Sequence, residues 1–117
     1  MRFNHTMCPR FQAAVDLLGK RWTGVVLKAL LDGPARFAEI AQRLEVVSER
    51  MLSERLKELE AEGIVERRVI PSSPVHVEYE LTAKGRALGG VIDAIGRWAE
   101  RWGDPPPAVS RRRTAAR

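Results

Sequence analysis

Two hydrophobic periods alternate along this chain, and their order predicts its elements. From Pro9 to Leu31 the pattern is helical. Phe11, Ala14, Val15 and Leu18 recur at three- and four-residue spacing, Gly19-Lys20 interrupts, and Trp22, Val25, Val26, Leu30 and Leu31 resume on a second short helix. Asp32-Gly33-Pro34 stops it, because Gly caps a helix and Pro cannot continue one. "ARF" then predicts a short extended piece, and Ala38 to Leu44 a short helix presenting Ile40, Ala41 and Leu44. Ser48 is a good N-cap for a helix from Glu49 to about Glu62, closed by Gly63. In "IVERRVI" the period changes to two, "PSSP" breaks the run, and "VHVEYELT" repeats the strand pattern, which predicts a hairpin. Thr82 can cap a last helix from Ala83 to about Trp102, whose apolar stripe is Leu88, Val91, Ile92, Ile95, Trp98 and Trp102.

This order predicts a mainly α fold with a small β-hairpin (α+β), arranged as a winged helix-turn-helix. The second helix of the pair would lie in the DNA major groove and the hairpin would reach the flanking backbone. Residues 1–102 form the expected domain. Residues 103–117, "GDPPPAVSRRRTAAR", lack periodicity and read as a disordered basic tail.

On a wheel turning about 100° per residue, Leu56 and Leu59 cluster with Leu52 as a docking stripe. Arg50, Ser53, Glu54 and Lys57 turn outward, and Arg55 stands on the shoulder of the stripe. The candidate DNA-reading residues of this helix are therefore Ser48, Arg50, Ser53, Glu54, Arg55 and Lys57. Arg and Lys suit guanine edges and phosphate oxygens, and a carboxylate must pair with an arginine or accept from a cytosine amino group. On the wing the candidates are Arg67, Arg68 and His76. The same helix also fits a solvated face held by Arg50–Glu54 and Glu54–Lys57 pairs. A protein-interaction module with no operator, using Glu54 and Glu58, is the rival from another class.

Charge bends the choice toward a polyanion. Twenty Lys and Arg against fifteen Asp and Glu leave +5, of which residues 103–117 carry +3. Other chemistry finds no support. His5, His76 and Cys8 are too few and scattered for a metal set, and there is no Gly-rich phosphate loop or Ser/His/Asp arrangement, so neither cofactor nor enzyme is expected. No apolar run is long enough to span a bilayer, the N-terminus lacks a signal-peptide pattern, and one cysteine cannot form an internal disulfide. The expected compartment is the cytoplasm.

Several separated pieces carry a resemblance: Cys-Pro at 8–9, Gly-Lys-Arg-Trp-Thr at 19–23, Gly-Pro-Ala-Arg-Phe at 33–37, "SERMLSERLKELEAEGIVERRV", and "VEYELT". From about Cys8 to Trp98 the chain resembles the HxlR-type bacterial transcriptional regulators. The resemblance implies a homodimer of winged helix-turn-helix subunits joined through the first and last helices, here by Phe11, Val15, Leu88, Val91, Ile92, Ile95, Trp98 and Trp102. It implies double-stranded DNA as partner, through an inverted repeat near its own or a neighbouring gene. Some members sense oxidants or electrophiles through the cysteine that precedes this proline, which makes Cys8 a candidate redox switch and a reactive species a candidate effector. The alternative for Cys8 is a small packing residue. The chain departs from the family pattern at His76, where a basic residue is common, and at Glu49, where relatives carry a neutral or basic one.

Overall fold

The computed structural model describes residues 8–105. In chain order these form α1 (Pro9–Leu18), α2 (Thr23–Leu30), β1 (Ala35–Arg36), α3 (Phe37–Arg43), α4 (Glu49–Ala61), β2 (Val65–Ile70), β3 (His76–Leu81), α5 (Ala83–Arg86) and α6 (Gly89–Trp102). Most of the tail, with its four arginines, and His5 lie outside the described residues.

Local chemistry sets most boundaries. Ser48 Oγ accepts from the Met51 amide at 3.1 Å, as an N-cap should. Gly63, at φ 75°, ends α4. Its amide donates to Glu60 O at 3.0 Å and the Ile64 amide to Leu59 O at 2.9 Å, the paired bonds of a left-handed helix stop. Thr82 Oγ1 accepts from the Gly85 amide at 3.1 Å and donates to Gly63 O at 2.6 Å, so the cap of α5 also ties it to the end of α4.

Three expectations change. Trp22 is not the first residue of α2 but its N-cap, at φ 76°, a left-handed conformation that strains a bulky side chain. The predicted last helix is two, because Leu88 N–H reaches back only three residues to Gly85 O at 3.0 Å and α6 restarts at Gly89. The "ARF" segment joins the sheet: β1 pairs antiparallel with β3, and β3 with β2, giving the order β1-β3-β2.

The core is built where these elements meet. Val26, Leu27 and Leu30 of α2, Ile40 of α3 and Leu52, Leu56 and Leu59 of α4 are all buried, closed by Ile64, Val65 and Leu81. Each such side chain contributes about 1.5–3 kcal/mol of burial. The two outer helices contribute little. No residue of α1 is buried, and on α6 only Ile92 is.

Candidate nucleic-acid interface

The inner face of α4 is set by its three leucines, and everything else on the helix follows from that orientation. Arg50 has a side chain 90% exposed and meets Glu54 only at 3.8 Å, too long for a hydrogen bond. Lys57 is exposed and in no ion pair among the described residues, so the expected Glu54–Lys57 pair does not form. Ser53 is half-buried between them, and Ser48, though exposed, already spends its oxygen on the cap. The outward set is therefore Arg50, Ser53, Glu54 and Lys57.

Arg55, expected on the shoulder of the stripe as a candidate reading residue, is engaged within the subunit. Its side chain is 11% exposed. Nε donates to Arg21 O at 2.8 Å, and Nη1 donates to Glu58 Oε1 at 3.1 Å. Glu58 also accepts from Lys20 Nζ at 2.8 Å. Arg55 and Glu58 thus lock α4 to the Lys20-Arg21-Trp22 turn between α1 and α2, where the Arg21 guanidinium covers the Trp22 ring at 4.7 Å. The lock also withdraws Glu58 from the acidic surface that an interaction module would use. Nothing near either residue in sequence announces it, since the partners stand 38 and 34 positions apart.

The hydrogen bond from Lys20, aided by the charges of Arg55 and Lys20, holds the Glu58 carboxyl below its ordinary value of 4.5, against a partial upward push from burial. Because the folded value is the lower one, this stabilisation is whole above the ordinary carboxylate range and is lost as pH falls through the folded value. Urea midpoints at about pH 7 and about pH 3 should therefore differ more for the natural chain than for Glu58→Gln. Equal acid losses in both would show that the lock contributes nothing to folding.

The wing separates its candidates. Strand alternation sends Arg67 and Arg68 to opposite faces. Arg68 lies across from Glu78 and hydrogen-bonds Glu80, a partner that raises its already high pKa. Arg67 lies across from Tyr79, is exposed, and enters no ion pair among the described residues. His76 is half-buried and engaged at both ring nitrogens. Arg36 Nη2 donates to Nδ1 at 3.2 Å, Ser72 Oγ lies 3.0 Å from the same atom, and Nε2 donates to Glu78 Oε2 at 3.2 Å. Arg68 and His76, expected to hold phosphates, are thus first of all members of the sheet's own polar network. Arg36, exposed on β1, is the cation that sequence reasoning missed; only the β1–β3 pairing brings it beside the wing.

On α6 the predicted stripe divides. Ile92 is 7% exposed and Leu88 packs, half-buried, against the core, so both contribute to the packing of their own subunit. Val91, Ile95, Trp98 and Trp102, at steps of four, three and four residues, remain exposed on the other flank, as do Phe11 and Val15 on α1. The stripe is wide enough to face two ways. Cys8 is half-buried at the N-cap of α1, and its side chain makes no cap hydrogen bond. Among the described residues no group of His, Cys, Asp and Glu could hold a metal, and no helix is long and apolar enough to cross a membrane.

Comparison with known proteins gives this geometry relatives. The family described as HxlR-like helix-turn-helix matches residues 17–107. An HTH-type transcriptional regulator of Bacillus subtilis, YodB, is 49% identical over 105 residues, 90% of this chain and 94% of its own. A second B. subtilis HTH-type regulator, YvaP, is 54% identical over 99 residues, 85% of this chain and 92% of its own. The reduced form of YodB superposes with a TM-score of 0.77 over 86% of this chain and 99% of that one, at 48% identity. YodB has also been solved diamide-treated and quinone-bound. The redox regulator HypR in its oxidised form, 37% identical, reaches a TM-score of 0.77 over 84% of this chain and all of its own.

Proposed function

The chain belongs to the HxlR-like helix-turn-helix family and is a DNA-binding transcriptional regulator, and from that premise we propose that it acts in the cytoplasm as a homodimer on an inverted-repeat operator. One observation carries the reading: α4 is anchored by three buried leucines and by the Arg55–Glu58 lock while Arg50, in no closer contact than its 3.8 Å approach to Glu54, and Lys57 stand exposed on its outer face. Arg50, Ser53 and Lys57 meet base edges and nearby phosphates, Glu54 limits which bases are accepted, and Arg67 holds flanking backbone. Arg36, Arg68 and His76 brace the wing and add positive charge to it. Val91, Ile95, Trp98 and Trp102 with Phe11 and Val15 form the subunit contact, which sets the half-sites about one helical turn, ~34–36 Å, or a multiple apart.

A gel-shift series on the DNA upstream of its own gene tests this. The natural chain should give a dimer complex that weakens steeply with salt. Arg50→Ala should cost about 1–3 kcal/mol and relax base preference, whereas Arg67→Ala should weaken all sequences alike. No complex at low salt on that or any genomic fragment would refute DNA recognition, and equal, sequence-independent losses would refute the assigned reading face.

Thiol sensing through Cys8 is the regulatory part of the proposal. Its support is the chemistry named for the relatives, reduced, diamide-treated and quinone-bound YodB and oxidised HypR, and a thiol that no hydrogen bond holds as a cap. With one cysteine per chain, any disulfide formed by Cys8 must be an intersubunit or a mixed one. A diamide arm in the same series should change both operator affinity and non-reducing gel mobility; unchanged values in both would assign Cys8 to packing.

A further inference from the structure

A groove of about 540 Å³ lies between α1 and the joint where α4 passes into β2, within the ~300–1,000 Å³ range of small-molecule sites. We propose that it binds a small amphipathic monoanion, an aromatic carboxylate in chemical class. One wall is the α1 face of Ala13, Ala14 and Leu17, where the two alanines leave the space open, and Ile64 and Leu88 form the other. These surfaces suit a flat apolar body.

The polar rim selects the charge. Lys84 Nζ donates to Glu62 O at 2.7 Å, which fixes the ammonium at the groove and leaves two of its N–H donors free. Arg10 stands on the α1 side and is in no ion pair among the described residues. Two cations against the single carboxylate of Glu62 give the lining one net positive charge, which a monoanion neutralises. The groove touches the two residues, Glu62 and Ile64, that flank the Gly63 stop of α4. A bound molecule there bears on the reading helix from the side away from DNA. Binding itself stands apart from the operator reading; its effect on operator affinity rests on that reading.

Isothermal titration of the full chain with 2-naphthoate tests the site, with the neutral 2-naphthalenemethanol as control. The natural chain should take up one naphthoate per subunit, about 10-fold tighter than the alcohol, the difference one charge-assisted contact makes. Lys84→Gln and Arg10→Gln should each bring the two probes within a few-fold of one another. Ala14→Phe, at an exposed helix position, should fill the groove and abolish uptake without altering operator affinity measured with no ligand. No saturable uptake at millimolar naphthoate, equal affinity for both probes, or undiminished uptake by Ala14→Phe would each overturn the proposal. Dissociation of the subunits by Ala14→Phe alone would overturn it too, because the groove would then hold a second copy. Gel shifts on the same preparations keep the failures distinct: operator binding without naphthoate uptake sinks only the site, and the reverse sinks only the operator reading.

Discussion

Ile95→Asp is expected to leave a folded chain that sediments as a monomer and binds its operator about 10²–10⁴-fold more weakly, the avidity lost when two half-site contacts become independent. Ile95 is 54% exposed, and its neighbours along the stripe, Trp98 and Trp102, are 63% and 64% exposed. Removing this side chain therefore costs the subunit's own core nothing. In a subunit contact the new carboxylate would sit among the apolar side chains of the stripe and lose its water, an expensive change for a charge. Sedimentation equilibrium and urea denaturation report assembly and fold separately. A dimer that persists with normal operator affinity would move the contact off α6, and a chain that unfolds would show that the stripe packs internally. Leu88 and Ile92, though in the same helical run, would give the second result when replaced, because they already face inward.

Gly85→Ala should be the most damaging single methyl group in the chain, costing about 3 kcal/mol. A Cβ at this position would stand 2.2 Å from Ile64 O, with Leu81 Cδ2 at 3.0 Å and Ile64 Cγ2 at 3.1 Å behind it. The carbonyl cannot withdraw cheaply, since it accepts from the Thr82 amide at 3.0 Å and lies at the junction of α4 with β2. Gly90→Ala on α6, where nothing lies within 4 Å, is the control and should be neutral or slightly stabilising. A thermal shift for Gly85→Ala no larger than that of Gly90→Ala would mean that the α5–β2 contact is loose. Of the glycines at 85, 89, 90 and 96, Gly85 is the one that makes a close backbone approach within the subunit.

Much of α4 and the wing is legible in the sequence. The Leu52, Leu56 and Leu59 spacing, the Ser48 cap and the Gly63 stop define α4 by interactions that close within a few residues, so they survive whatever the rest of the chain does. The same holds for the two strands and for the outward direction of Arg50. The partners of Arg55 were not legible there, because a wheel records an angle and not a partner. Arg55 lies beside the stripe as expected, and there it finds Arg21 O and Glu58 rather than solvent. The partners of His76, Arg36 and Glu78, were hidden for the same reason.

Periodicity and capping, being short-range, determined by themselves the order of elements up to the last helix, the winged helix-turn-helix class and the face of α4 that turns outward. Only the tertiary structure decided which cations are free to use. Lys57 and Arg67 enter no ion pair among the described residues and Arg50 meets only Glu54, at 3.8 Å, whereas Arg55 and Arg68 are hydrogen-bonded by carboxylates and a carbonyl and His76 by Arg36 and Glu78. It also decided which flank of α6 turns outward and that Ala35 and Arg36 complete the sheet. The physical reason is the same in each case. A charged side chain or a short strand has no preferred partner of its own. Its partner is whatever complementary group folding carries to within 3–4 Å, and for Lys20 and Glu58 that group lay 38 residues away.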